Sequence, residues 1–141
     1  MPPSRTPFLA HEPPAAVLPA LRVATAVAAG ILAVGGVALT LWAGLSLPSV
    51  GSGHYVLEGQ LIVDRGAYGL LRHPLYLAAF MIWLGLAAAY RSLAALVVLA
   101  LYVVPIYLLY IREEERLMIE RYGDTYRAYQ RRVGGLVPHR R

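Results

Sequence analysis

The sequence predicts an all-α integral membrane protein with about three transmembrane helices, two of them forming a hairpin, and a C-terminal amphipathic helical tail. Three observations carry this. Hydrophobic residues make up 58% of the 141, and mean hydropathy is +0.55, more apolar surface than a soluble domain of this size can bury. Uncharged apolar runs recur at about residues 23–47, 75–90 and 93–111. Charge then gathers behind the last run, with eight Arg against five acidic residues from Arg112 to Arg141.

The length fits a single domain. Net charge is +5 and every basic residue is Arg. Because the basic segment follows directly on an apolar span, an anionic lipid surface is the expected partner and nucleic acid is not. The chain has no Cys, which excludes disulfides, thiolate metal sites and a cysteine nucleophile.

Residues 1–21 carry Pro2, Pro3, Pro7, Pro13, Pro14 and Pro19, so this stretch reads as a flexible or surface-lying leader without regular helix. The apolar run behind it is too long for the core of a cleaved signal peptide. The first span, 23–47, places Gly36, Thr40 and Gly44 at four-residue steps, with Gly35 adjacent. That spacing suits close helix approach in lipid and offers a surface for homo-oligomer formation. Pro48 and the Gly51–Gly53 cluster end it.

Residues 54–73 form the extended polar stretch between apolar runs, with His54, Glu58, Gln60, Asp64, Arg65, Arg72 and His73. Gly66 and Gly69 bracket Tyr68, the mark of a turn with close backbone approach. His73-Pro74 reads as a helix start. The second run, 75–90, would be about 24 Å long as a helix, short of the ~30 Å hydrocarbon core. Arg91-Ser92 makes a corner, and 93–111 returns, with Pro105 expected to kink it. In the tail, 112–141, Met118, Tyr122, Tyr126, Tyr129 and Val133 share one face. Gly123 is expected to close one tail helix and Asp124 to cap the next. The positive-inside rule puts the tail and the Arg65/Arg72 loop on the cytoplasmic side of the cell (inner) membrane, with the N-terminus outside.

A hairpin of this kind brings Arg72, His73 and Tyr76 towards Arg112, Glu113, Glu114 and Glu115, and lets the tail close over the gap. Ionisable groups at such a membrane lip are functional candidates. Taken singly, each has a plainer role: His73 as a helix cap, Tyr76, Tyr90, Tyr102, Tyr107 and Tyr110 as an aromatic belt, the three Glu as a solvated face paired with Arg112 and Arg116. His11, His54, His73 and His139 lack metal-ligand spacing, so no metal centre is expected. No serine triad order, phosphate loop or dinucleotide fingerprint is present. The residues by themselves define a pocket and leave the reaction open.

Gly66-Ala67-Tyr68, then Arg72-His73-Pro74-Leu75-Tyr76, a short hairpin, Glu114-Glu115, and Tyr122-Gly123-Asp124-Thr125-Tyr126 with Tyr129 and Pro138 occur in one order over about residues 57–138. This arrangement resembles the isoprenylcysteine carboxyl methyltransferase family, and phospholipid N-methyltransferases share the layout. The resemblance implies an S-adenosylmethionine-dependent methyltransferase without a Rossmann domain, with residues 22–141 as one membrane methyltransferase-like domain. It implies a cofactor beneath the tail, held by Tyr68, His73, Pro74, Leu75, Tyr76 and Glu114, with Gln60, Leu61, Ile62 and Val63 as a backbone-contact strip. His73 and Arg72 become the candidate catalytic pair, His73 as general base where the acceptor is an amine or a thiol. On the substrate side, Tyr110 takes the position of an Arg in the eukaryotic enzymes, and Arg112 lies two residues on. A prenylated cysteine, a lipid amine, a small thiol or another lipophilic acceptor remains open. The alternative is a non-catalytic membrane subunit or scaffold that associates through its Gly-rich first span.

Overall fold

A computed structural model describes residues 17–47 and 62–138. Gln60, Leu61, His54, Glu58 and the leader up to residue 16 lie outside the described residues. The described chain is all-helical, as expected of a helical membrane protein.

Helix α1 runs Val17–Ser46. It starts inside the stretch expected to be an irregular leader, and Pro19 sits in its first turn. The N–H groups of a first turn have no intrahelical acceptor, so a proline there costs no hydrogen bond. Helix α2, Pro74–Ala89, packs antiparallel on α1. Small residues make the contact. A Cβ on Gly36 would lie 2.7 Å from Ile82 Cγ1 and 2.8 Å from the Ala78 carbonyl oxygen, and one on Gly85 would lie 2.9 Å from the Ala29 carbonyl oxygen. In lipid, helices gain little from apolar burial, and close backbone approach supplies the dispersion contacts instead. The small-residue stripe is therefore partly spent within the chain. Gly35 and Gly36 face α2, whereas a Cβ on Gly44 would have nothing within 4 Å.

At the corner, Arg91 adopts a φ of 48°, and the Ser92 hydroxyl oxygen accepts the Ala95 N–H at 3.1 Å. Helix α3, Leu93–Tyr122, then runs for 30 residues. The expected disturbance at Pro105 takes the form of a π-helical turn at Leu99–Val103, where the Val104 N–H reaches back to the Leu99 carbonyl. Rings rather than small residues fill the gap between α2 and α3: Tyr107 lies 5.5 Å from Tyr76 and 5.2 Å from Phe80, centroid to centroid. Two helices among the described residues, α1 and α3, are long and apolar enough to cross a bilayer, and α2 is a shorter apolar helix. The apolar part of α3 ends at Ile111, but the helix continues to Tyr122, so the first part of the tail continues the third apolar helix instead of starting a separate one.

Gly123, with φ of 55°, closes α3 through its N–H to the Ile119 carbonyl at 2.8 Å. It is also the residue preceding α4, Asp124–Arg132. Asp124 is thus in the first turn rather than at the cap, and its carboxylate pairs with Arg127 at 2.9 Å. The expected apolar face is present. Tyr126, Tyr129 and Val133 are buried together against Ile62, Met118, Ile119 and Tyr122. Beyond α4 the chain returns to the charged motif, where the Arg72 N–H donates to the Gly134 carbonyl at 2.8 Å and the His73 N–H to that of Gly135 at 3.3 Å.

Candidate active site

The site is built on the turn Gly66–Gly69. Gly66 has φ of 60°, and a Cβ there would strike the Ser46 hydroxyl. That hydroxyl donates to the Trp42 carbonyl at 2.7 Å and accepts the Ala67 N–H at 3.0 Å, tying the turn to the end of α1. From the turn the chain runs through Leu71, Arg72 and His73 into Pro74, which is fully buried as the first residue of α2. A proline is suited to that position because its fixed φ is helical and its missing N–H is not needed there.

His73 occupies the cap position of α2, but its side chain makes no capping bond. Instead its Nε2 lies 2.9 Å from Glu115 Oε1, and its Nδ1 lies 3.8 Å from Glu114 Oε2. Glu115 also meets Arg72 Nη2 at 3.0 Å and accepts from Gln130 Nε2 at 3.1 Å. Arg72 Nη1 donates to the Gln130 carbonyl at 3.2 Å. One carboxylate therefore joins the motif before α2, the extended third helix and the tail.

The His73 bond, with help from the Arg72 charge, holds the Glu115 carboxyl below its ordinary value of 4.5, against the opposing effect of burial. A carboxyl lowered in the folded state contributes stability that is complete above its unfolded value and is lost as pH falls through the folded one. Below pH 4.5 the melting temperature of the wild-type protein is expected to fall more steeply than that of Glu115→Gln; parallel slopes would remove the linkage.

Between these elements lies a cavity of about 310 Å³, at the lower end of the ~300–1,000 Å³ common for small-molecule sites. Tyr68, Arg72, His73 and Glu114 line it, with Ile62 and Val63 beside them. Of the other expected cofactor contacts, Pro74 is buried and Tyr76 packs edge-on to His73 at 5.8 Å; neither lines the cavity. Leu75 is exposed on α2, and Tyr110 and Arg112 are exposed on α3, so these three stand apart from it.

Glu115 as the hub, Gln130 as its partner and Arg121 in the cavity wall are not expected from the motifs. A signal for Glu115 existed: stepping back from Tyr122 and Met118 at helical spacing leads to Glu115 and then to Ile111, which is buried. Tyr126 and Tyr129 close the cavity from the tail, and the Tyr129 hydroxyl donates to the Tyr68 carbonyl at 2.6 Å. Burial pushes the Tyr126 phenol up to about 12 and that of Tyr129 higher still, so both remain neutral donors at physiological pH.

S-adenosylmethionine presents an ammonium, a carboxylate, a sulfonium and an adenine ring. The walls carry complementary groups: the Glu114 carboxylate, the Arg121 guanidinium and several phenol rings. Arg72 also borders the cavity, and among the described residues its Nε is buried without a hydrogen-bond partner. The residues fit the cofactor.

These elements define a helical membrane protein with a charged, aromatic-walled cavity roofed by its own tail. The chain belongs to the phospholipid methyltransferase family, whose sequence model matches residues 24–125; that family is related to the isoprenylcysteine carboxyl methyltransferases the motifs resemble. The match takes in α1 to α3 and the Arg72, His73 and Glu115 cluster. The cobalt-zinc-cadmium resistance protein CzcN of Cupriavidus metallidurans is 35% identical over 100 residues, which cover 67% of this chain and 46% of that protein. The chain thus spans about half the length of that curated relative. No solved structure matches.

Proposed function

We propose that the chain is an integral membrane methyltransferase that uses S-adenosylmethionine and modifies a lipophilic or small acceptor at the cytoplasmic membrane surface. The observation that carries this reading is the cavity at the His73–Glu115 hub, where Glu114, Arg121 and Arg72 border a space walled by tyrosines. When bound, the cofactor supplies an electrophilic methyl group. The protein's part is alignment and exclusion of water. Glu114 attracts the cationic end, Arg121 and Arg72 the carboxylate, and Tyr126 and Tyr129 shut the site beneath the tail.

His73 acts chiefly in positioning. With Nε2 donating to Glu115, only Nδ1 remains towards the cavity, available to an amine or thiol acceptor as a proton acceptor. Arg72 holds the tail through Gln130.

Membranes containing the protein, incubated with methyl-labelled cofactor, should yield a labelled lipid or small molecule heavier by one methylene in mass spectrometry of the extract. Glu114→Ala should lower the yield roughly tenfold or more, the worth of one hydrogen bond to a charged group. Absence of any labelled product from folded protein across lipid and aqueous extracts counts against the proposal.

A further inference from the structure

The end of the α1–α2 pair remote from the candidate active site carries charges that methyl transfer does not use. Contact of Ala29 with Gly85 sets the register of the two helices. About two turns further out, α1 brings Arg22, and the corner after α2 brings Arg91, to one open pocket of about 310 Å³ with Leu18, Leu21 and Thr25. Arg91 holds a φ of 48°, a conformation that favours glycine over a side chain. Among the described residues neither arginine makes an ion pair. The Thr25 hydroxyl is turned inward to the Leu21 and Arg22 carbonyls. What the pocket offers a ligand is therefore two guanidinium groups beside exposed leucines.

Two like charges directed into one pocket repel each other unless an anion lies between them. Guanidinium forks match the paired oxygens of phosphate. Leu18 and Leu21 are exposed and would lie along an acyl chain, a contact that free phosphate cannot make. We propose that Arg22 and Arg91 form a binding site for the phosphate of an anionic phospholipid, in the leaflet opposite the candidate active site. The lipid would bridge α1 to the α2–α3 corner.

The test uses the full-length protein, purified in detergent and equilibrated with equal amounts of phosphatidylglycerol and phosphatidylcholine, with retained lipid read by native mass spectrometry. Wild-type protein should retain phosphatidylglycerol preferentially. The double variant Arg22→Gln/Arg91→Gln should lose roughly tenfold of that retention, whereas the tail variant Arg131→Gln/Arg132→Gln should keep it. Excess inorganic phosphate should not displace the lipid. Arg22→Gln alone, an exposed change on a helix, should lower retention with circular dichroism unchanged. The proposal is overturned if that folded single variant and the double variant retain lipid like wild type. It also fails if the loss follows the tail variant instead, or if inorganic phosphate competes the lipid away.

Discussion

Glu115→Ala is expected to abolish methyl transfer while leaving the membrane helices intact. Glu115 receives His73, Arg72 and Gln130 at 2.9, 3.0 and 3.1 Å. Without it, Arg72 and His73 keep their charge or donor capacity in a poorly solvated place. Removing one partner of a buried pair costs about 3–5 kcal/mol, and the partial exposure of this one puts it at the lower end. The loss falls on the tail, because Gln130 is released and Tyr126 and Tyr129 no longer close the cavity. Limited trypsin digestion should then cut at Arg127, Arg131 and Arg132 well before it does in wild type. Glu113→Ala serves as the contrast, since that residue forms a surface pair with Arg116, and such pairs contribute little. A Glu115→Ala protein with normal turnover and a protected tail would show that the hub does not organise the site.

Gly36→Leu is expected to be the most damaging change in the membrane. The first added carbon would already overlap Ile82 and the Ala78 carbonyl, and backbone cannot move aside as a flexible side chain can. The helices must separate, at a cost of about 3 kcal/mol or more. Gly44→Leu meets open space and should be neutral. Thermal unfolding in detergent measures both. The scaffold reading predicts instead that both leucines abolish association between chains while the folded protomer survives; equal effects of the two changes would favour it.

Much of the fold could be read from the chain, for reasons that lie in local chemistry. The charge-free stretch after Arg22, the Arg91-Ser92 corner and Gly123 each mark a physical limit on where a helix can run or stop. The discrepancies arise where local signals are ambiguous. Pro19 looks like a helix breaker but is harmless in a first turn, and Asp124 looks like a cap although Gly123, with its positive φ, already fills that role. Arg112 looks like the start of a separate tail, yet nothing in its neighbourhood breaks a helix, and α3 runs on to Tyr122.

The motif order points to Glu114 and Glu115 together, and the structure divides their places. Glu114 lies in the cavity wall, whereas Glu115, about 100° further round the helix, meets His73 and Arg72. Sequence order alone does not say which of two neighbouring carboxylates turns inward, because the π turn at Leu99–Val103, which closes over five residues instead of four, has no composition that marks it beyond the nearby Pro105.

Whether the cavity takes this cofactor is read by saturation binding of labelled S-adenosylmethionine to the detergent-purified chain. Binding should be saturable, weakened roughly tenfold or more by His73→Ala and by Glu114→Ala and unaffected by Gly44→Leu. No binding at any attainable concentration, by protein whose helix content and cooperative melting show it to be folded, would contradict the proposed function.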